Sequence, residues 1–351
     1  MNKITTVGVD LAKEVIVVCG GDSEGRVVYF KQLSFQGFAE WAANLPPCTV
    51  GLEACSSAHH WARFLTQHGH ESKLMAAEFV IPYRKSRSAK NDRNDAEAIM
   101  TAVRQASMRF VSVKSLEQQA TLAMHRMRQG FSEERTALIN RTRGLLAEFG
   151  EWLGRSSARL IRMLPRRIQE EHLPARMRDL LGQALTHLQH LDEQIERCEQ
   201  AIKAHAKQSE AAERIQALTG VGPITASAVV ATVPQAKDFR NGRQMAAWAG
   251  LVPKQSSSGG KERLGKITKR GDAYLRGLLT QGARSALQVA ENKTLDKRSR
   301  LEHWIVALRH RVGYHKTLVA IANKHLRIMW AILAKGEAYD PNVWQRHQKA
   351  A

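Results

Sequence analysis

The first hundred residues alternate short, nearly continuous apolar runs with polar punctuation. ITTVGVD (4–10), EVIVVCGG (14–21) and RVVYFKQLS (26–34) each read as strands, and GDSEG between the last two marks a turn, so the chain opens as a β-meander. CTVGLEA (48–54) predicts a fourth strand, HHWARFLTQHGH a helix and ESKLMAA a fifth strand. A basic loop, YRKSRSAKN, leads into DRNDAEAIMTAVRQ, where Ala96, Ile99, Met100 and Val103 share one helical face. This order predicts a mixed α/β sheet with an antiparallel edge.

Beyond residue 115 the period changes to that of helices. One long helix is expected to about 150, followed by an Arg-rich segment broken by Pro165 and Pro174. Leu181, Ala184, Leu188, Leu191, Ile195, Cys198 and Ile202 then alternate steps of three and four, the stripe of a coiled-coil arm or of a helix packed within its own domain. The expected organisation is an α/β domain over 1–150, a basic segment and helical coiled-coil middle over 151–210, and a mostly α C-terminal domain over 211–351.

Charge changes the picture. The 351 residues carry a net charge of +20, with a pI near 10.2, which points to a polyanionic partner, nucleic acid before membrane. Residues 1–110 are nearly neutral, 13 Lys/Arg against 11 Asp/Glu, whereas the remainder holds 40 against 22. An acidic site is thus expected in the first third and a nucleic-acid grip in the rest. Four cysteines without C-x-x-C spacing indicate neither a zinc knuckle nor a disulfide framework. No apolar leader or membrane-length run is visible, which predicts a cytoplasmic, nucleoid-associated protein.

Three constellations could carry chemistry. Asp10 and Glu53 end apolar strands, where a carboxylate is costly unless paired or bound to a cation, and Asp92 and Asp95 share a helix face. If the first and fourth strands are neighbours, the four acids form a plausible cage for two Mg²⁺ ions. The other reading of Asp92 and Asp95 is capping of a helix start. Second, ALTGVGPITASAVVA (217–231) has the form of a helix-hairpin-helix, with Gly220 and Gly222 letting backbone N–H groups approach a phosphate, or of a plain αα turn. Third, LVPKQSSSGGKERLGKITKRGDAYLR (251–276) reads as a flexible loop or as a nucleophilic serine, with Gly259 and Gly260 giving a phosphate room among Lys254, Lys261, Arg263, Lys266, Lys269 and Arg270.

Together, and in this order, GVDLAK, LEACS, KNDRNDA, GVGPITA, AAWAGLVPKQSSSGGKERLGKITKRGDAYLR and KTLVAIANKHLRIMWAILAKGEAYDP resemble the DEDD transposases of the Piv invertase type, the one-hundred-ten insertion-sequence family, and within it the eleven-eleven subgroup. The resemblance covers nearly the whole chain. It implies an RNase H-like (RuvC-like) N-terminal domain whose tetrad is Asp10, Glu53, Asp92 and Asp95, and a C-terminal transposase domain. The family's serine, which precedes a glycine five positions after the proline of G-L-x-P, falls on Ser258, beside Ser256 and Ser257. It further implies Mg²⁺, donor and target DNA, an element-encoded noncoding guide RNA, and a dimer of dimers in which the tetrad of one subunit works with the serine of another. The competing expectation is a RuvC-like nuclease or Holliday junction resolvase with water as nucleophile.

Overall fold

A computed structural model describes residues 4–85 and 91–340, which divide into two compact units, 1–115 and 116–351. The expected first domain of 1–150 therefore spans the first unit and a long helix of the second.

The first unit comprises β1 (Thr6–Leu11), β2 (Ile16–Gly21), β3 (Val27–Leu33), α1 (Phe35–Ala43), β4 (Thr49–Glu53), α2 (Ala58–Gln67), β5 (Glu71–Met75), the single turn α3 (Ala77–Val80), α4 (Asp92–Val103) and β6 (Phe110–Val111). The sheet order is β3-β2-β1-β4-β5-β6. β1 runs antiparallel to β2 and parallel to β4, with Thr6 opposite Thr49 and Val9 opposite Leu52, so the first and fourth strands are neighbours as expected. Alternation assigns the two faces. Val7, Val9, Val50 and Leu52 pack with Phe38 and Trp41 of α1 and Trp61 and Leu65 of α2. The opposite face presents Gly8 and Gly51 to α4. A β-carbon on Gly8 would lie 2.2 Å from the Ala96 carbonyl oxygen and 2.3 Å from the Met100 nitrogen, and one on Gly51 would lie 2.8 Å from Val103 Cβ. Only glycine allows α4 to lie flush on the two central strands.

The second unit begins with α5 (Leu116–Ala147), α6 (Ser157–Arg167) and α7 (Ala175–Gln208). Pro165 does not break α6 as expected. Its missing N–H removes one bond of the ladder, and the helix ends two residues later. Pro174 caps α7. α7 packs on α5, and pairing of Arg128 with Glu199 and Arg135 with Asp192 sets the two antiparallel. Leu181, Leu188, Leu191 and Ile202 of the heptad stripe are buried, Leu181 and Leu188 in one cluster with Ile139 and Leu146 of α5. Each buried leucine contributes about 2 kcal/mol against under 1 kcal/mol for a half-exposed ion pair, so the apolar stripe holds this hairpin. That stripe is thus covered at least partly within its own chain.

α8 (Glu210–Gln216), α9 (Pro223–Thr232), α10 (Gly242–Trp248), the ribbon of β7 (Pro253–Gln255) and β8 (Leu264–Ile267), α11 (Ala273–Asn292), α12 (Arg300–Val312) and α13 (Tyr314–Lys335) follow. α9 is built mostly of small and apolar residues and lies in the core that α11 and α13 complete. Among the described residues no helix is long and apolar enough to cross a membrane.

Candidate active site

The start of α4 is where the acids gather. Asn91, not an aspartate, caps this helix, its side-chain oxygen accepting from the Asn94 N–H at 2.8 Å. Asp92 and Asp95 follow in the first turn, so neither is occupied in capping. Asp92 is exposed and Asp95 is 6 % exposed. Asp10 and Glu53 directly follow the paired Val9 and Leu52 at the carboxyl ends of β1 and β4. Because side chains alternate, Asp10 lies on the same sheet face as Gly8, the face α4 covers.

The electrostatics reflect the gathering. Burial lifts the Asp10 pKa from 3.8 to about 6, helped by the negative charges of Asp95, Asp92 and Glu53, while Arg84 opposes them. Arg84, in the loop after α3, places Nε 2.7 Å from Asp95 Oδ1. Among the described residues neither atom has a hydrogen-bond partner, so the contact is Coulombic attraction without hydrogen-bond alignment. As they stand, no three His, Cys, Asp or Glu side chains among the described residues are close enough together to hold a metal ion. The chemistry nevertheless fits one. The donors are carboxylate oxygens, the ligands of hard divalent cations, and the buried Asp95 Oδ1 faces a positive group without a hydrogen bond.

In the second unit the SSSGG stretch is not a flexible loop. β7 and β8 form an antiparallel ribbon, extended by the Ser256 N–H donating to the Arg263 carbonyl at 2.9 Å. The ribbon ends in a two-residue turn, with Lys261 N–H donating to the Ser258 carbonyl at 3.1 Å. Gly259 (φ 55°) and Gly260 (φ 74°) both have positive φ, the requirement of a type I′ turn. Their role is this turn. Ser257 is held, its hydroxyl accepting from Gln255 Nε2 at 3.2 Å and from the Arg263 N–H at 3.3 Å. Ser258 is exposed, and among the described residues its hydroxyl has no hydrogen-bond partner. Lys254, Lys261, Arg263 and Lys266 are exposed along the ribbon, with Lys269 and Arg270 at its base. That base is clamped: a β-carbon on Gly250 would lie 2.3 Å from the Arg270 carbonyl oxygen, and one on Gly271 2.4 Å from that of Trp248.

Comparison with known proteins decides the family. A profile described as Transposase IS116/IS110/IS902 family matches residues 212–299, and an IS110 DEDD profile described as Transposase matches 7–150. The chain is 46% identical over 341 residues to a probable family 20 transposase of Pseudomonas aeruginosa, covering 96% of this chain and 99% of that protein. It is 42% identical to the transposase for insertion sequence element IS1111A of Coxiella burnetii, over 97% of this chain and 92% of the relative. It is 36% identical to the transposase for insertion sequence element IS1328 of Yersinia enterocolitica, over 97% and 99%. The chain belongs to the IS116/IS110/IS902 transposase family. Its first unit is the RNase H-like α/β domain of a DEDD transposase, and the enzyme acts on DNA by strand cleavage and transfer.

Within this transposase the two glycines of GVGPITA differ. Gly220 (φ 87°) is pressed on α11, where its β-carbon would lie 2.1 Å from the Gly282 carbonyl oxygen, so it serves packing. Gly222 caps α9, is exposed and has nothing within 4 Å of a would-be β-carbon, which leaves room for a phosphate. Sequence reasoning missed Arg84. Its only signal was membership of the basic loop before Asp92, and residues 86–90 of that loop lie outside the described residues.

Proposed function

We propose that this transposase cuts and rejoins DNA through a phosphoserine intermediate, with Asp10, Glu53, Asp92 and Asp95 as its metal-binding tetrad and Ser258 as nucleophile. The observation that supports this reading is the placement of Asp10 and Glu53 at the carboxyl ends of the adjacent strands β1 and β4, on the sheet side of α4's Asp92 and Asp95, whose charges add to burial in raising the Asp10 pKa to about 6. Such a cluster is costly without a cation. Mg²⁺ bound there would supply charge neutralisation at a scissile phosphate. The chain's own residues do the rest. Asp95, held at the first turn of α4, and Asp10, at the end of β1, are fixed by the flush packing of α4 on Gly8. Lys254, Lys261, Arg263 and Lys266 draw the phosphate to the ribbon.

Ser258 Oγ then forms an ester bond to phosphorus as a deoxyribose oxygen leaves, and that oxygen takes up the proton the serine gives up. Attack on the phosphoserine by a hydroxyl of another strand reverses the exchange, so joining needs no ATP. The guide RNA, the Piv-type and eleven-eleven assignments and the dimer of dimers belong to the same proposal. They are supported by the motif resemblance, by the IS1111A relative and by the basic charge beyond residue 110.

The test is incubation with Mg²⁺, RNA from the element's flank and matched DNA, followed by a denaturing gel for protein–DNA adducts. We expect a covalent adduct with the wild-type chain and none with Ser258→Ala. Cleavage without an adduct, unchanged by the substitution, would instead establish the nuclease or junction-resolvase reading with water as nucleophile.

A further inference from the structure

A cavity of about 560 Å³ opens in the second unit between the start of α10, the start of α12 and the C-terminal half of α13. Its volume is that of a small-ligand site. Three aromatic side chains line it, Trp304, Trp330 and Tyr339, together with Arg300, Arg327 and Lys324. Lys324 is 9 % exposed and holds Nζ 5.2 Å from the centre of the Trp304 ring. Burial, reinforced by the neighbouring Arg327 charge, pulls its pKa from 10.5 down to about 8. The floor is rigid. Trp330 Nε1 donates to the Ala236 and Phe239 carbonyls at 2.9 and 3.1 Å, and a β-carbon on Gly242 would lie 2.8 Å from the Arg327 carbonyl oxygen. Glu337 and Asp340 stand on the C-terminal wall.

We propose that this cavity takes one unstacked nucleotide of a single strand, with its base among the aromatic side chains and its phosphate on the arginines. Charge complementarity favours that occupant. Cations outnumber carboxylates, and aromatic rings interleaved with arginines are what an unpaired base and its phosphate require. A duplex, whose bases are stacked and paired, offers nothing to insert. The two carboxylates can accept hydrogen bonds from the amino or imino N–H groups on the edge of an unpaired base, which paired bases keep for each other. The proposal rests on this chain binding nucleic acid, and not on the tetrad or on Ser258.

The test uses the full chain and oligonucleotides carrying one 5-iodocytosine, as single-stranded DNA, single-stranded RNA and duplex DNA. After irradiation, the attached peptide is mapped by mass spectrometry. Adducts on Trp304, Trp330 or Tyr339 with a single strand, and not with the duplex, are expected, and the arm that gives them identifies DNA or RNA as the source. In parallel, Arg300→Gln/Arg327→Gln should weaken single-strand binding roughly tenfold and leave duplex binding unchanged. Adducts confined to other segments, or single-strand affinity unchanged in the double variant, overturn the pocket alone. A wild-type chain that binds no oligonucleotide overturns the pocket and the DNA-acting reading together.

Discussion

Asp10 and Asp95 sit where backbone comes so close to backbone that a β-carbon would collide, whereas every residue from Pro253 to Lys266 faces solvent. The first region concentrates like charges by half-burying them at one end of a sheet. The second spreads positive charges along a protruding ribbon, where water screens their repulsion. Repulsion is tolerable in solvent and costly at a buried edge. The acid site therefore depends on rigid packing and on a counter-charge, and the ribbon depends on little but its turn and its clamped base.

Asp10→Asn should break the comparison most sharply, lowering strand cleavage by about 10²–10³-fold, the scale of removing one group that stabilises charge at a reacting centre. The fold should survive, since the substitution takes one like charge out of a crowded cluster; unchanged plasmid nicking would remove Asp10 from the site. The same cluster sets a pH dependence. The folded Asp10 pKa, near 6, exceeds the unfolded 3.8, so the folded state holds the extra proton between those values. Metal-free protein should therefore lose stability as pH rises from about 4 through 6, and added Mg²⁺ should restore it above that range. Thermal unfolding at pH 5 and 7.5, with and without Mg²⁺, reads both signs.

Next in size, Gly8→Val should destabilise the first unit by about 3 kcal/mol, because α4 must lift off the sheet. Gly222→Ala, at a position with open space, should cost under about 1 kcal/mol. Equal melting shifts for the two would mean α4 is not seated as described.

Of the binding effects, charge reversal across Lys261, Arg263, Lys266, Lys269 and Arg270 should weaken binding on all DNA sequences. It should flatten the salt dependence by about 0.9 for each phosphate the chain no longer neutralises. An unchanged slope would show that the ribbon does not touch phosphates.

The residues that proved legible are those whose pattern has one physical meaning. Apolar runs ending in Asp10 and Glu53 became adjacent central strands, and the face of Ala96, Ile99, Met100 and Val103 became the buried side of α4. Helix α1 went unread between the third and fourth strands, although Ser34 as cap and Phe38, Trp41 and Ala42 at helical spacing announce it. The ribbon was hidden for another reason. Its arms are mostly polar and exposed, so no alternation marks them, and Gly259–Gly260 was the one cue to a hairpin. β6 has two residues and no pattern to read. The heptad stripe was legible as a seam, but not its occupant, because α5 of the same chain presents the same apolar chemistry as a second copy.

The short turn at the ribbon tip makes the direction of the proposed nucleophile a question of parity. In a pleated arm Ser256 and Ser258 point one way and Ser257 the other, and Ser257 already spends its hydroxyl on Gln255 and Arg263. With the turn fixed by two glycines and the base locked at Gly250 and Gly271, the direction of Ser258 is set by the number of residues between them and by the register shift between Pro253 and Gln255. A single insertion between Pro253 and Ser258 would turn the serine to the opposite side of the ribbon, leaving composition, charge and fold almost untouched.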